Sequence, residues 1–327
     1  MTAREWIVTA ALALALLLGA VWADAVGEPY YVNMASRIAI MALAAAGLNL
    51  ALGHGGMVSF GHAAFFGIGG YAAGIAATHA MNFDPIMTWP LTIEGTDRMP
   101  VIWLSAMLAS AVVALGIGAL SLRTSGVHFI MITLAFAQMV YYFAISWPEY
   151  GGEDGLPIYV RNGFPGLDTY DALTFFGLAF GLLMAVLALT HVIMNARFGA
   201  ALTMARLNPA RLATAGIAPY PVKLAAFALS AAITGLAGAL LADLNGFVGP
   251  NTMSWHMSGE LIVLVILGGV GRLAGPIAGA ATLIGMEVIV GGYTQRWQLA
   301  LGVVLLLVVL FARGGIVGAL AGKARHD

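Results

Sequence analysis

Long apolar runs alternate with short polar interruptions along the whole chain. Residues 6–22, 38–52, 101–122, 127–147, 173–194 and 222–241 are almost unbroken apolar stretches, near the length at which a helix crosses a bilayer. Four further runs, one from near Gly61 to near His79 and others over 259–268, 276–290 and 298–312, are bounded by glycine or polar residues. The pattern predicts ten spans, an all-α polytopic membrane protein and a single transmembrane domain over 1–327. The first run follows Arg4 and precedes Ala23-Asp24-Ala25, so it reads as a retained helix or as a cleavable signal. After the second, Gly53, Gly55 and Gly56 break the helix before Ser59 can cap a new one. The stretch LGGVG at 267–271 breaks the eighth run in the same way. A broken helix inside an apolar stretch is tolerated where it is buried in protein or lines a cavity. Two similar breaks are expected of duplicated half-helix elements in a transporter.

The polar interruptions sort by charge. The segment 195–221 carries Arg197, Arg206 and Arg211 and no acid. Asn208 can cap a helix that starts at Pro209, and Gly216 can end it. A basic helical hairpin between two spans is either a handle for a soluble partner or an ordinary positive loop that sets topology. The loops at 80–100, 148–172 and 243–258 carry acids instead. With the N-terminus inside, Arg4, Arg123, Arg197, Arg206, Arg211, Lys223, Arg272, Arg313, Lys323 and Arg325 fall on the inner side, ten of the fourteen basic residues. The partition obeys the positive-inside rule and puts both termini in the cytoplasm.

Composition removes several classes of function. With 61% hydrophobic and 9% charged residues, the chain takes the lipid bilayer as a partner and nucleic acid is not expected. The absence of cysteine excludes a disulfide framework and a thiolate metal site. The histidines are scattered without ligand spacing, so no metal is expected. Gly322-Lys323 is followed by Ala324 and lacks an upstream glycine, so no phosphate loop is present. Cofactors are expected to be none on this chain, and any nucleotide must be used elsewhere.

The candidate chemistry lies inside the spans. Glu287 is a carboxylate deep in an apolar run, which in lipid points to a cavity, a partner or a hydrogen-bonded packing role. Glu260 starts its run and suits a gate or an interface. Ser59, Phe60 and His62 follow the first break, where helix N–H groups are offered to an anion such as an amino-acid carboxylate. Close packing with His62 satisfied by a backbone carbonyl is the other reading. Asn49 and Gln138 read as interhelical hydrogen bonds or as path residues. Gly70 and Gly74, Gly177 and Gly181, Gly235 and Ala239, and Gly271, Gly275 and Gly279 place small residues four apart for close helix contact.

Several motifs resemble the permease subunits of bacterial branched-chain amino acid ABC importers, M-type rather than H-type. They are GLNLALGHGGMVSFGHAAFFGIGGY at 47–71, TLAF at 133–136, GGEDGL at 151–156, ARFGAAL at 196–202, LAAFALSAAITGLAGAL at 224–240 and LGGVGRLAGPIAGA at 267–280. The resemblance implies that 195–221 holds the coupling helix that docks on the ATPase, with Arg197, Phe198, Gly199, Arg206, Asn208, Pro209, Arg211 and Gly216 as its residues. Relatives usually carry an acid before the asparagine and often another after it, where this chain has Leu207 and Pro209. The resemblance also implies an H-type permease partner, two ATP-binding subunits that use ATP and magnesium, and a periplasmic substrate-binding protein. It implies a non-enzymatic permease in the bacterial inner membrane. Alternatives are the same machinery importing urea or short-chain amides, or a stand-alone secondary transporter.

Overall fold

A computed structural model describes residues 3–88, 93–294, 296–312 and 314–322. Arg313, Lys323 and Arg325, counted above on the inner side, lie outside the described residues. The chain folds into helices joined by short loops, α1 (Ala3–Ala25), α2 (Pro29–Asn49), α3 (His62–Asn82), α4 (Met99–Ser121), α5 (Val127–Ile145) and α6 (Ala172–Asn195) coming first. Then follow α7 (Arg197–Leu207), α8 (Pro209–Thr214), α9 (Pro219–Asn245), α10 (Trp255–Gly268), α11 (Gly275–Gly291), α12 (Trp297–Phe311) and α13 (Gly315–Ala321). Two short antiparallel ribbons occupy loops, β1 (Pro85–Met87) with β2 (Ile93–Glu94) and β3 (Leu156–Pro157) with β4 (Phe247–Val248).

Six of these helices are long and apolar enough to cross a membrane, and a seventh span results if α12 and α13 are one bent element. The sequence reading expects ten. The difference lies in α10 and α11, which have only 14 and 17 residues, and in α3, a 21-residue helix rich in Gly, Ala and His. At 1.5 Å per residue α10 extends about 21 Å and α11 about 26 Å, against a hydrocarbon core of about 30 Å.

The molecule is built around α2 and α9. From Ile38 to Gly53 every residue of α2 and its terminal turn is buried, and α2 packs on α9, α6, α11, α1 and α10. In lipid, such contacts depend on shape rather than on exclusion of water, so small residues set the approach. The α3–α9 seam shows this. A Cβ on Gly69 would run into the carbonyl of Gly235, and one on Gly238 into the carbonyl of Phe66. Gly235, Gly275 and Gly279 likewise meet neighbouring backbone or side chains closely, whereas a Cβ on Gly271 would make only ordinary contact with Gly53. Gly177 and Gly181 on α6 instead face open space, so that expected pair makes no close contact within the chain. By contrast α12 has no buried residue and presents Leu299, Val303, Leu306 and Leu310 outward.

Two corrections concern boundaries. Residue 243 was expected in a loop, yet α9 continues to Asn245 with Asp243 fully buried. Its Oδ1 accepts from Asn162 Nδ2 at 2.6 Å, and Arg161 donates to the carbonyls of Asp243, Leu244 and Thr169. These bonds satisfy the helix end and tie the 148–172 loop to it. Ser59 does not cap α3: the helix begins at His62, and the Ser59 hydroxyl accepts from the Gly61 amide in the preceding turn.

Candidate functional site

Two breaks meet at one end of the molecule. The last turn of α2 widens into a π turn over Leu50–His54. The α10–α11 connection, with Gly269 and Gly271 at positive φ, lies directly against it. A Cβ on Gly53 would sit 2.5 Å from the Gly271 amide nitrogen, so only glycine permits the approach. Asn49 bridges the two, its Nδ2 donating to the Arg272 carbonyl at 3.0 Å and its Oδ1 accepting from Gly271 N at 2.8 Å. Arg272 is buried and donates to Glu5 Oε1 at 3.3 Å and to the Gly322 carbonyl at 2.8 Å. The two similar breaks therefore form one joint, and Asn49 is its clamp.

The start of α3 uses its free amides within the protein. The Phe60 amide donates to Thr133 Oγ1 and the Ala63 amide to Ser258 Oγ, which itself donates to the Phe60 carbonyl at 2.6 Å. The His62 Nε2 lies 2.7 Å from Ser230 Oγ, and that hydroxyl donates to the Gly47 carbonyl at 2.6 Å. Since the Ser230 proton is committed to Gly47, His62 must donate from Nε2, which leaves its buried Nδ1 as an acceptor. The ring packs edge-on against Phe65 and Phe227. Phe60, His62 and the Ala63 amide thus knit α2, α3, α5, α9 and α10 together, while Ser59 bonds within its own turn. Gln138 lies on α5 with a buried Nε2 that has no hydrogen-bond partner among the described residues.

The hairpin joins the same joint. Asn208 Oδ1 accepts from the Arg211 amide at 3.0 Å and caps α8, which has Pro209 at its first position. Gly216 follows that helix at φ 82°. Ala201, Ala205 and Leu212 form a small core between α7 and α8, and Gly199 is buried against the backbone of Met194. Phe198 packs against the main core, while Arg197 and Arg211 are exposed. Arg206 turns back: its Nη1 donates to the Gly53 carbonyl at 2.6 Å and its stem lies against Gly56.

At the opposite ends of α2 and α11 sits a charged group. Arg37 and Glu287 form a two-pronged ion pair, Nη1–Oε1 at 3.1 Å and Nη2–Oε2 at 3.0 Å. Glu260 of α10 lies within coulombic reach of both. Arg37 was missed by the sequence reading. A signal was present, because a base beside the outer end of an apolar run contravenes the charge partition and so calls for an acid partner.

Apolar helices packed through small residues, with their charges gathered at the two ends, define a multi-pass helical membrane protein. Residues 30–313 match the family described as branched-chain amino acid transport system / permease component, and the chain belongs to that family. It is similar to the high-affinity branched-chain amino acid transport system permease protein LivM of Escherichia coli (strain K12), 26% identical over 88% of this chain and 69% of that protein. The protein of the same name from Salmonella typhimurium is also 26% identical, over 92% of this chain and 74% of its own length. No solved structure matches the chain.

Proposed function

We propose that the chain is the transmembrane permease subunit of an ATP-binding-cassette importer that moves branched-chain amino acids across the bacterial inner membrane by alternating access. In this reading the whole of 1–327 is one permease domain of ten spans with both termini cytoplasmic. An H-type permease pairs with it, two ATPase subunits dock inside, and a periplasmic binding protein docks on the outer loops. The chain itself performs no catalysis; ATP and magnesium act on the partner subunits.

The observation that carries the reading is the bond from Arg206 to the Gly53 carbonyl. It connects the hairpin to the joint of α2, α10 and α11, so a push on α7 and α8 reaches broken helices inside the membrane. Broken helices can change their angle with little loss of hydrogen bonding, which suits them to alternate access.

The test is uptake of labelled leucine by proteoliposomes that contain the permease, its partner subunits and the loaded binding protein. Uptake should require internal or external ATP on the ATPase side and ignore an imposed ion gradient. Gradient-driven uptake without ATP would replace the proposal with a secondary transporter, and ATP-driven uptake of urea or short amides but not leucine would change the cargo.

A further inference from the structure

We propose that Arg37, Glu260 and Glu287 form a transit site that receives the α-carboxylate and α-ammonium of an amino acid at the mouth opposite the hairpin. The proposal rests on the transport reading above and adds to it the groups that handle the backbone of the cargo.

Its basis is where these charges lie. Arg37 is eight residues into α2, about 12 Å along the helix from Pro29, and Glu287 is four residues, about 6 Å, from the end of α11. An ionised group at such depth is costly against lipid and is retained where it meets a cavity or a polar occupant. The two side chains keep 40% and 26% of their surface exposed. That exposure occurs where α2 enters its fully buried stretch at Ile38. Arg37 is therefore the last residue of the most enclosed helix that is open before it is covered on all sides.

The chemistry fits a zwitterion. A guanidinium presents two parallel N–H groups to a carboxylate. Arg37 already holds Glu287 with one hydrogen bond from Nη1 at 3.1 Å and an ion-pair contact from Nη2 at 3.0 Å, so a substrate carboxylate can take the place of the glutamate on the same two nitrogens. Glu287, freed, and Glu260 beside it can then accept the α-ammonium. The group holds one guanidinium and two carboxylates, so its surplus acid matches the ammonium. Because Arg37 and Glu287 are paired with each other, while Glu287 Oε2 is buried with no hydrogen-bond partner among the described residues, occupation is an exchange of partners and not a capture. A site on a path should hold its cargo in this weak and reversible way.

The experiment uses the assembled complex in proteoliposomes with leucine as probe. Arg37→Gln together with Glu287→Gln should yield assembled complex in which leucine taken up per nucleotide hydrolysed falls at least tenfold. The exchanged pair, Arg37→Glu with Glu287→Arg, should likewise assemble but not recover uptake, since the guanidinium then stands on α11 and no longer at the entrance to the buried stretch of α2. Glu260→Cys, in a complex otherwise free of cysteine, should react from outside with a cationic impermeant thiol reagent. Uptake within twofold of wild type in the neutral pair, failure of that pair to assemble, or full recovery of uptake by the exchanged pair would each reduce the group to a structural tie. Lack of labelling would remove the water-accessible mouth. Absence of leucine uptake by the wild-type complex would withdraw the transport reading itself, along with the site built on it.

Discussion

Gly238 and Gly181 are the same residue type on two apolar helices, and their surroundings make them opposites. A methyl group at Gly238 meets the carbonyl of Phe66, a backbone atom that cannot rotate away, whereas one at Gly181 meets nothing within 4 Å. Gly238→Ala should therefore destabilise the permease by about 1–3 kcal/mol, the range for overpacking a tight contact. Gly181→Ala should be neutral or slightly stabilising, because alanine is the better helix former. Thermal midpoints of the two variants in detergent check this, and equal losses would mean that the α3–α9 seam is not the tight one. His62 shows the same point for a polar group. Its role comes from Ser230 and Gly47, which fix its tautomer, and not from its being a histidine in an apolar run.

Among the elements, the hairpin of α7 and α8 was the most legible in advance. Its division at Asn208-Pro209 and the cap on Arg211 depend on neighbours within three residues, which the sequence displays directly. What Arg206 does was not legible, because its acceptor is 153 residues away. The Arg37–Glu287 pair, 250 residues apart, escaped for the same reason. Helix breaks could be read from glycines, but their meeting at Asn49 is a property of packing. The structure separates the three hairpin arginines: Arg197 and Arg211 are exposed, while Arg206 reaches back to the joint. Accordingly, Arg211→Glu should reduce the ATPase recovered with a tagged permease. Arg206→Gln should keep the ATPase but uncouple it, with loss of uptake, since a charge-assisted bond worth about 1.5–3 kcal/mol is removed. Equal ATPase recovery and uptake in both variants and the wild type would make the hairpin a topological loop.

For the molecule as a whole, the helices α1, α2, α4, α5, α6 and α9 pass as spans on length and composition. The status of α3, α10 and α11 depends on how deeply their ends are recessed, which no local pattern encodes. The sequence reading nevertheless puts 195–221 on one side and 148–172 on the other. The lack of native cysteine makes this testable. In intact cells an impermeant thiol reagent added outside should label Glu153→Cys and leave Ala213→Cys, on the exposed face of α8, untouched. The reverse pattern would invert the topology, and labelling of both would break the assignment of α6 as a span.

Arg272 sets a schedule for the making of this protein. Glu5 belongs to α1, and the guanidinium that it meets comes 267 residues later in the chain. At a synthesis rate of about 5–20 residues per second, α1 waits roughly 10–50 s for that ion pair. The acceptor at Gly322 arrives later still, 50 residues after the arginine. The clasp between α1, the central break and the carbonyl of Gly322 thus closes only once Gly322 has been made. Until then the joint of α2, α10 and α11 lacks its ties to α1 and to Gly322, which makes this interval the time at which insertion machinery or a membrane protease has most access to it.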